Sequence, residues 1–217
     1  MEKRYIFFGG HGRSGSNWLS SMFNLNHAEE FLSSEHDYFL GSDIFEKLDF
    51  WEERPGVKIQ VSSENGPMMG LLHERFPEAQ WLYLWRDYEA WLGSVLAYNS
   101  MHGHLGHAMV CINYRLGARE AELRLAERLG IKIQHVWFDD YIKESGFRAL
   151  AKLMNVRLHP ELKYSDQINP ISRFKCRPIS RRTEHPELYP ALHKLFESTE
   201  YAYQAYMAAK NSDQLRM

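Results

Sequence analysis

Cysteine is nearly absent: Cys111 and Cys176 are the only two in 217 residues. Two thiols do not make the disulfide framework that holds small secreted domains together, so two reduced thiols in a cytosolic protein are expected. There is no Cys-x-x-Cys pair, which removes the commonest thiolate zinc motif. Long hydrophobic runs are missing as well. No apolar stretch approaches the roughly 18 residues of a membrane-crossing helix, and the run Tyr5-Ile6-Phe7-Phe8 stops at Gly9-Gly10, too soon for the core of a signal peptide. No membrane span is expected, and the expected compartment is the cytoplasm. A surplus of one charge is also lacking, with 26 Lys+Arg against 28 Asp+Glu and a net charge of -2. A dedicated nucleic-acid binder normally carries a strongly basic face, so nucleic acid is not an expected partner. A small cationic pocket for a small anion remains compatible with this balance.

What is present is ordinary globular material: 44% hydrophobic and 25% charged residues. A chain of this length buries a core without staples and is expected to form one domain over residues 1–217. Tyr5–Phe8, Val57–Val61, Trp81–Trp85 and Ile131–Phe138 read as strands, the third as a continuous apolar run suited to burial on both faces. Between them lie helical patterns at about residues 18–25, 43–52, 67–75, 88–98, 107–129, 144–155 and 187–210. The charge-laced second half of the longest one, with Arg119, Glu120, Glu122 and Arg124, reads as a solvated face. Residues 27–56 are otherwise mixed, and 157–186 read as a long basic loop. Strands alternating with helices imply a three-layer α/β/α fold around a central parallel sheet.

The most informative segment is Gly9-Gly10-His11-Gly12-Arg13-Ser14-Gly15-Ser16-Asn17-Trp18, between the first strand and the first helix. A glycine-rich loop at that place lets backbone amides and a helix N-terminus surround a phosphate. Ser14 and Ser16 add hydroxyl donors and Arg13 a charge. If Gly10 and Gly15 are the fixed glycines of a Walker motif, the lysine position holds Ser16 and the magnesium-binding hydroxyl position holds Asn17. Such a loop keeps an anion cradle but is poorly equipped for magnesium-assisted phosphoryl transfer.

Arg13-Ser14-Gly15-Ser16-Asn17-Trp18-Leu19 resembles the 5′-phosphosulfate loop of sulfotransferases that use 3′-phosphoadenosine 5′-phosphosulfate (PAPS). A second segment, Trp81-Leu82-Tyr83-Leu84-Trp85-Arg86-Asp87 with Ser94 beyond it, is similar to that family's 3′-phosphate motif: an Arg at a strand end and a Ser on the following helix. Physically, Arg86 offers a bidentate fork to a phosphate; its plain alternative is a surface ion pair. Tyr88 stands where the family usually has proline. Ser62-Ser63-Glu64-Asn65-Gly66-Pro67 resembles the segment that carries the general base in the polysaccharide-modifying branch, with Asn65 and Gly66 in place of Lys and Thr. The alternative for Glu64 is a helix cap.

The resemblance implies a P-loop-kinase-like fold and sulfuryl transfer from PAPS, leaving adenosine 3′,5′-bisphosphate (PAP), with no metal required. The acceptor implied is a hydroxyl or amine of a small molecule or glycan. Arg13 and Glu64 are the implied catalytic residues. Gly12, Arg13, Ser14, Gly15, Ser16, Asn17, Trp18, Arg86 and Ser94 are the implied donor-binding set. His102, His104 and His107 are a second source for the base, and Ser172–Arg177 falls where the family often closes a loop on the nucleotide. Two other readings stand beside this one: a small-molecule or nucleotide kinase with a degenerate loop, and a nucleotide-binding module without turnover.

Overall fold

A computed structural model describes residues 3–10, 14–30, 32–36, 44–63, 65–100, 105–164 and 186–211, with backbone alone at 33–36, 97–100, 105–109, 111 and 186. Five strands form one sheet: β1 (Lys3–Gly10), β2 (Leu32–His36), β3 (Gly56–Val61), β4 (Gln80–Trp85) and β5 (Ile133–Trp137). Their order is β2-β3-β1-β4-β5 and every pairing is parallel. Nine helices accompany them among the described residues: α1 (Ser16–Asn26), α2 (Ile44–Glu53), α3 (Met69–Arg75), α4 (Tyr88–Ser100), α5 (Leu105–Arg128), α6 (Phe138–Tyr141), α7 (Glu144–Leu153), α8 (Tyr189–Ser198) and α9 (Glu200–Asn211). The expected α/β architecture with a central parallel sheet is the one observed.

The two faces of the sheet differ in chemistry, because side chains alternate along each strand. Ile6, Phe8, Val57, Ile59, Val61, Leu82 and Leu84 pack against α1, α6 and α7. Phe7, Trp81, Tyr83 and Trp85 point the other way, to α2, α3, α4, α5, α8 and α9. Apart from Phe8, aliphatic strand side chains thus face one layer and aromatic ones the other. Trp85 packs on Trp137 at 6.3 Å and on Tyr206 at 5.6 Å between ring centres. Burying each large side chain contributes roughly 1.5–3 kcal/mol, so both layers hold the sheet.

The chain leaves central β1 toward β2 on one side, and from β3 it crosses back to β4 on the other. The winding direction therefore reverses at β1, and in open α/β sheets sites form beyond the strand C-termini at such a reversal.

Three expectations need correction. Residues 32–36 form β2; Ser33-Ser34-Glu35-His36 shows no apolar alternation, and the strand is placed by its parallel ladder to β3 and by Leu32 packing against the core. The expected single C-terminal helix is two, α8 and α9. At the break Thr199 adopts a non-helical ψ of 72°, and the hydroxyls of Ser198 and Thr199 donate to the carbonyls of Leu195 and Phe196, each at 2.6 Å. Such local bonds compete with the helix ladder. Finally, the charged half of α5 is solvated only in part: Arg124, Glu127 and Arg128 are exposed, but Arg119 is 2% and Glu122 3% exposed.

Candidate functional site

β1 runs to Gly10, two residues past the expected end, and Gly10 has φ of 104°. A Cβ there would stand 2.6 Å from the Leu84 carbonyl oxygen of the neighbouring strand. Gly15 takes the left-handed conformation, φ 84°, as the N-cap of α1. Its Cβ position would overlap the Phe138 ring and crowd the Tyr141 hydroxyl. Glycine is therefore required at 15 by both conformation and space.

A glycine N-cap brings no side chain to the first-turn amides of α1, and that turn has no acidic residue. No carboxylate of its own first turn thus offsets the positive end of the helix dipole. Beside it, Ser14 is fully buried and its hydroxyl has no hydrogen-bond partner. A buried, unmatched hydroxyl is costly unless something occupies it. Ser16 is also buried, while Asn17 is exposed at the helix start. Trp18 is 7% exposed and packs on Tyr141, Phe147 and Tyr164, so its indole is part of the core beneath the loop.

Arg86 follows β4 directly and is only 6% exposed, unlike a surface ion pair. Its guanidinium lies 4.8 Å from the centre of the Phe138 ring. Tyr141, one helical turn from Phe138, donates its hydroxyl hydrogen bond to the Ser14 carbonyl. Burial pushes the Tyr141 hydroxyl well above the usual tyrosine range, and the charge of Arg86 pulls it the other way. The phenol therefore stays a neutral donor. The end of β5 and α6 thus tie the β1–α1 turn and the end of β4 into one shelf. Ser94, in α4, is buried to the same 6% exposure.

The turn after β3 is pinned from two sides. Asn65, fully buried, donates from Nδ2 to the carbonyls of Phe8 (3.0 Å) and Gln60 (2.9 Å). Gly66 abuts the carboxylate of Glu122 so closely that any Cβ there would overlap it. Glu122 accepts from the Tyr83 hydroxyl at 2.9 Å. Burial pushes the Glu122 carboxyl up to about 7, against the opposing pull of Tyr83 and Arg119. Arg119 lies over Trp85 at 4.7 Å and Trp91 at 5.4 Å from the ring centres.

Of the residues expected from sequence, Ser14, Gly15, Ser16, Asn17, Trp18, Arg86 and Ser94 are described; Gly12, Arg13, Glu64, His102, His104 and Ser172–Arg177 lie outside the described residues, and His107 has backbone only. Asp139 and Asp140 occupy the first turn of α6, where Asp140 faces Lys143 at 3.8 Å. Among the described residues no group of three His, Cys, Asp or Glu is arranged to hold a metal ion. No described helix is long and apolar enough to cross a membrane.

Sequence reasoning missed Phe138, Tyr141, Tyr83, Arg119 and Glu122. A signal for Arg119 exists: Ile112, Leu116, Arg119, Leu123 and Ala126 recur at spacings of 4, 3, 4 and 3, and all five are buried. The arginine sits in the middle of a buried stripe.

No family model matches the chain, and no curated protein matches it in sequence. Among solved structures it is similar to a sulfotransferase from Alicyclobacillus acidocaldarius, with a TM-score of 0.62 at 10% identity over 96% of this chain and 97% of that one. The fold is therefore sulfotransferase-like, and at this identity the likeness speaks to the fold alone.

Proposed function

We propose that this chain is a sulfotransferase that moves a sulfuryl group from PAPS to a hydroxyl or amine of a small-molecule or glycan acceptor. The observation that carries the reading is the buried Ser14 hydroxyl without a partner, set beside a glycine-capped helix start. That pair fits a phosphate or sulfate ester. The side chains at 16 and 17, serine and asparagine, replace the lysine and hydroxyl of a magnesium-nucleotide loop, which favours this donor over ATP.

In this scheme the acceptor oxygen or nitrogen attacks sulfur as the bond from sulfur to the 5′-phosphate oxygen breaks. The sulfuryl group leaves with the acceptor, and PAP departs with the bonding electrons. Loop amides, Ser14 and Arg13 hold the 5′-phosphate and stabilise the charge that develops on it. Arg86, with Ser94, takes the 3′-phosphate, the group that separates this donor from ATP. Glu64 accepts the acceptor proton. The scheme requires no metal.

The test follows PAP release from PAPS with phenol, sugar and amine acceptors, in the native chain and in Glu64→Gln. Glutamine keeps the shape but cannot take a proton at neutral pH. Turnover is expected to fall by roughly 10²–10⁴ while PAP affinity persists. Equal turnover in the two proteins removes Glu64 from the role of base. Absence of PAP binding to the native chain overturns the donor assignment.

A further inference from the structure

The buried charges of α5 lie directly against the turn that contains Glu64 in sequence. Gly66 has no room for a Cβ because the Glu122 carboxylate fills that space. Gly66 is not among the glycines with positive φ, so space, and not backbone conformation, forbids a side chain. The carboxylate is fixed in turn by Tyr83, which donates to it at 2.9 Å from β4, and the charge of Arg119, one turn earlier on α5, favours its ionised form. These two are the charged or titratable groups that act on Glu122. On its other flank the turn is strapped by Asn65 to the carbonyls of Phe8 and Gln60. The turn thus has a strap on the β1 side and a rigid floor on the α5 side.

We propose that Glu122 is a positioning residue: held by Tyr83, its carboxylate forms the floor under Gly66 and sets the placement of the Asn65–Gly66 turn, which follows Glu64 directly in the chain. This rests on the sulfotransferase reading only in assigning Glu64 the role of base. It also accounts for glycine at 66, where the resembling segment has threonine: a floor built from Glu122 leaves no space for a branched side chain.

Three variants separate positioning from general stability. Gly66→Ala forces either the turn to lift or the carboxylate to swing away from Tyr83. Tyr83→Phe keeps the ring and removes the hydroxyl that holds the carboxylate. Gly66→Ala with Glu122→Asp draws the carboxylate back by one methylene and reopens the space with the charge retained. The first readout is amide hydrogen exchange at Asn65 and Met69, whose N–H groups donate to Ser62 and Gly66 within the turn. Exchange is expected to quicken at least ~10-fold in Gly66→Ala and in Tyr83→Phe, with β1 and β4 amides unchanged, and to return to the native rate in the double variant. The second readout is PAP release from PAPS: kcat is expected to fall in both single variants and recover in the double one, with PAP affinity unchanged throughout.

Native exchange in both single variants, or failure of Glu122→Asp to restore it, overturns the proposal. Should Gly66→Ala not fold, Tyr83→Phe decides alone by the same exchange rates. If the native chain does not bind PAP, the sulfotransferase reading fails separately, and the exchange rates still judge the role of Glu122.

Discussion

The guanidinium carbon of Arg86 lies 4.8 Å from the centre of the Phe138 ring, and the same ring closes the space beside Gly15. One aromatic side chain thereby joins the end of β4 to the β1–α1 turn, although 52 residues separate Arg86 from Phe138 in the chain. If this shelf reads a 3′-phosphate, Arg86→Ala weakens PAP binding by about 2–4 kcal/mol, the scale for losing one partner of a buried charge-assisted pair. Adenosine 5′-monophosphate lacks that phosphate, so its affinity is expected to stay nearly constant. Calorimetry with both ligands checks this; equal losses make Arg86 structural.

Gly15→Ala tests the turn itself. Placing alanine in the left-handed region costs roughly 1–2 kcal/mol, and the overlap with Phe138 adds to it. In a chain of this size each 1 kcal/mol lowers Tm by about 2–4 °C. Thermal unfolding is therefore expected to shift down by several degrees, with PAP affinity lost in parallel. An unchanged Tm contradicts the geometry described for Gly15.

Asn65→Lys restores the cation of the resembling family segment. Here Asn65 is fully buried and its amide bridges the Phe8 and Gln60 carbonyls. Leaving buried polar groups unmatched costs about 1–3 kcal/mol, more when a charge is placed there. The variant is expected to lose stability and gain no turnover, as read by denaturant unfolding and PAP release. Increased turnover contradicts the strap.

Glu122 gives a pH signature in stability. Its folded pKa of about 7 lies above its ordinary value near 4.5. The folded state therefore binds the proton more tightly, and this contribution is fully present below about pH 4.5 and lost as pH rises through 7. At 1.36 kcal/mol per pKa unit the loss totals about 3 kcal/mol. Glu122→Gln does not titrate. Its stability relative to the native chain is expected to rise between pH 5 and 7.5 by up to about 3 kcal/mol, measured by urea unfolding at stepped pH. A pH-independent difference contradicts the assigned burial.

The sequence made the sheet's central strands and the first loop legible because their signals are local. Trp81–Trp85 is apolar without interruption, and the glycines around Ser14 mark a strand-to-helix turn. What stayed hidden depends on long-range packing. Charge count alone placed Glu122 in solvent, whereas Tyr83, 39 residues earlier, draws it inward. Arg119 reads as polar, yet aromatic rings of β4 and α4 cover it. The support of Ser14 by Tyr141 spans 127 residues, and no spacing rule connects them. β2 is an edge strand of mostly polar residues, paired to β3 through its backbone ladder, and its sequence carries no alternation to read.

The most direct measurement is a pair of calorimetric titrations of the full chain, with PAP in the absence of magnesium and with ATP in its presence. The account predicts that PAP binds, unaltered by magnesium or by a chelator, and that ATP binds much more weakly. Tight, magnesium-dependent binding of ATP with no binding of PAP would contradict it.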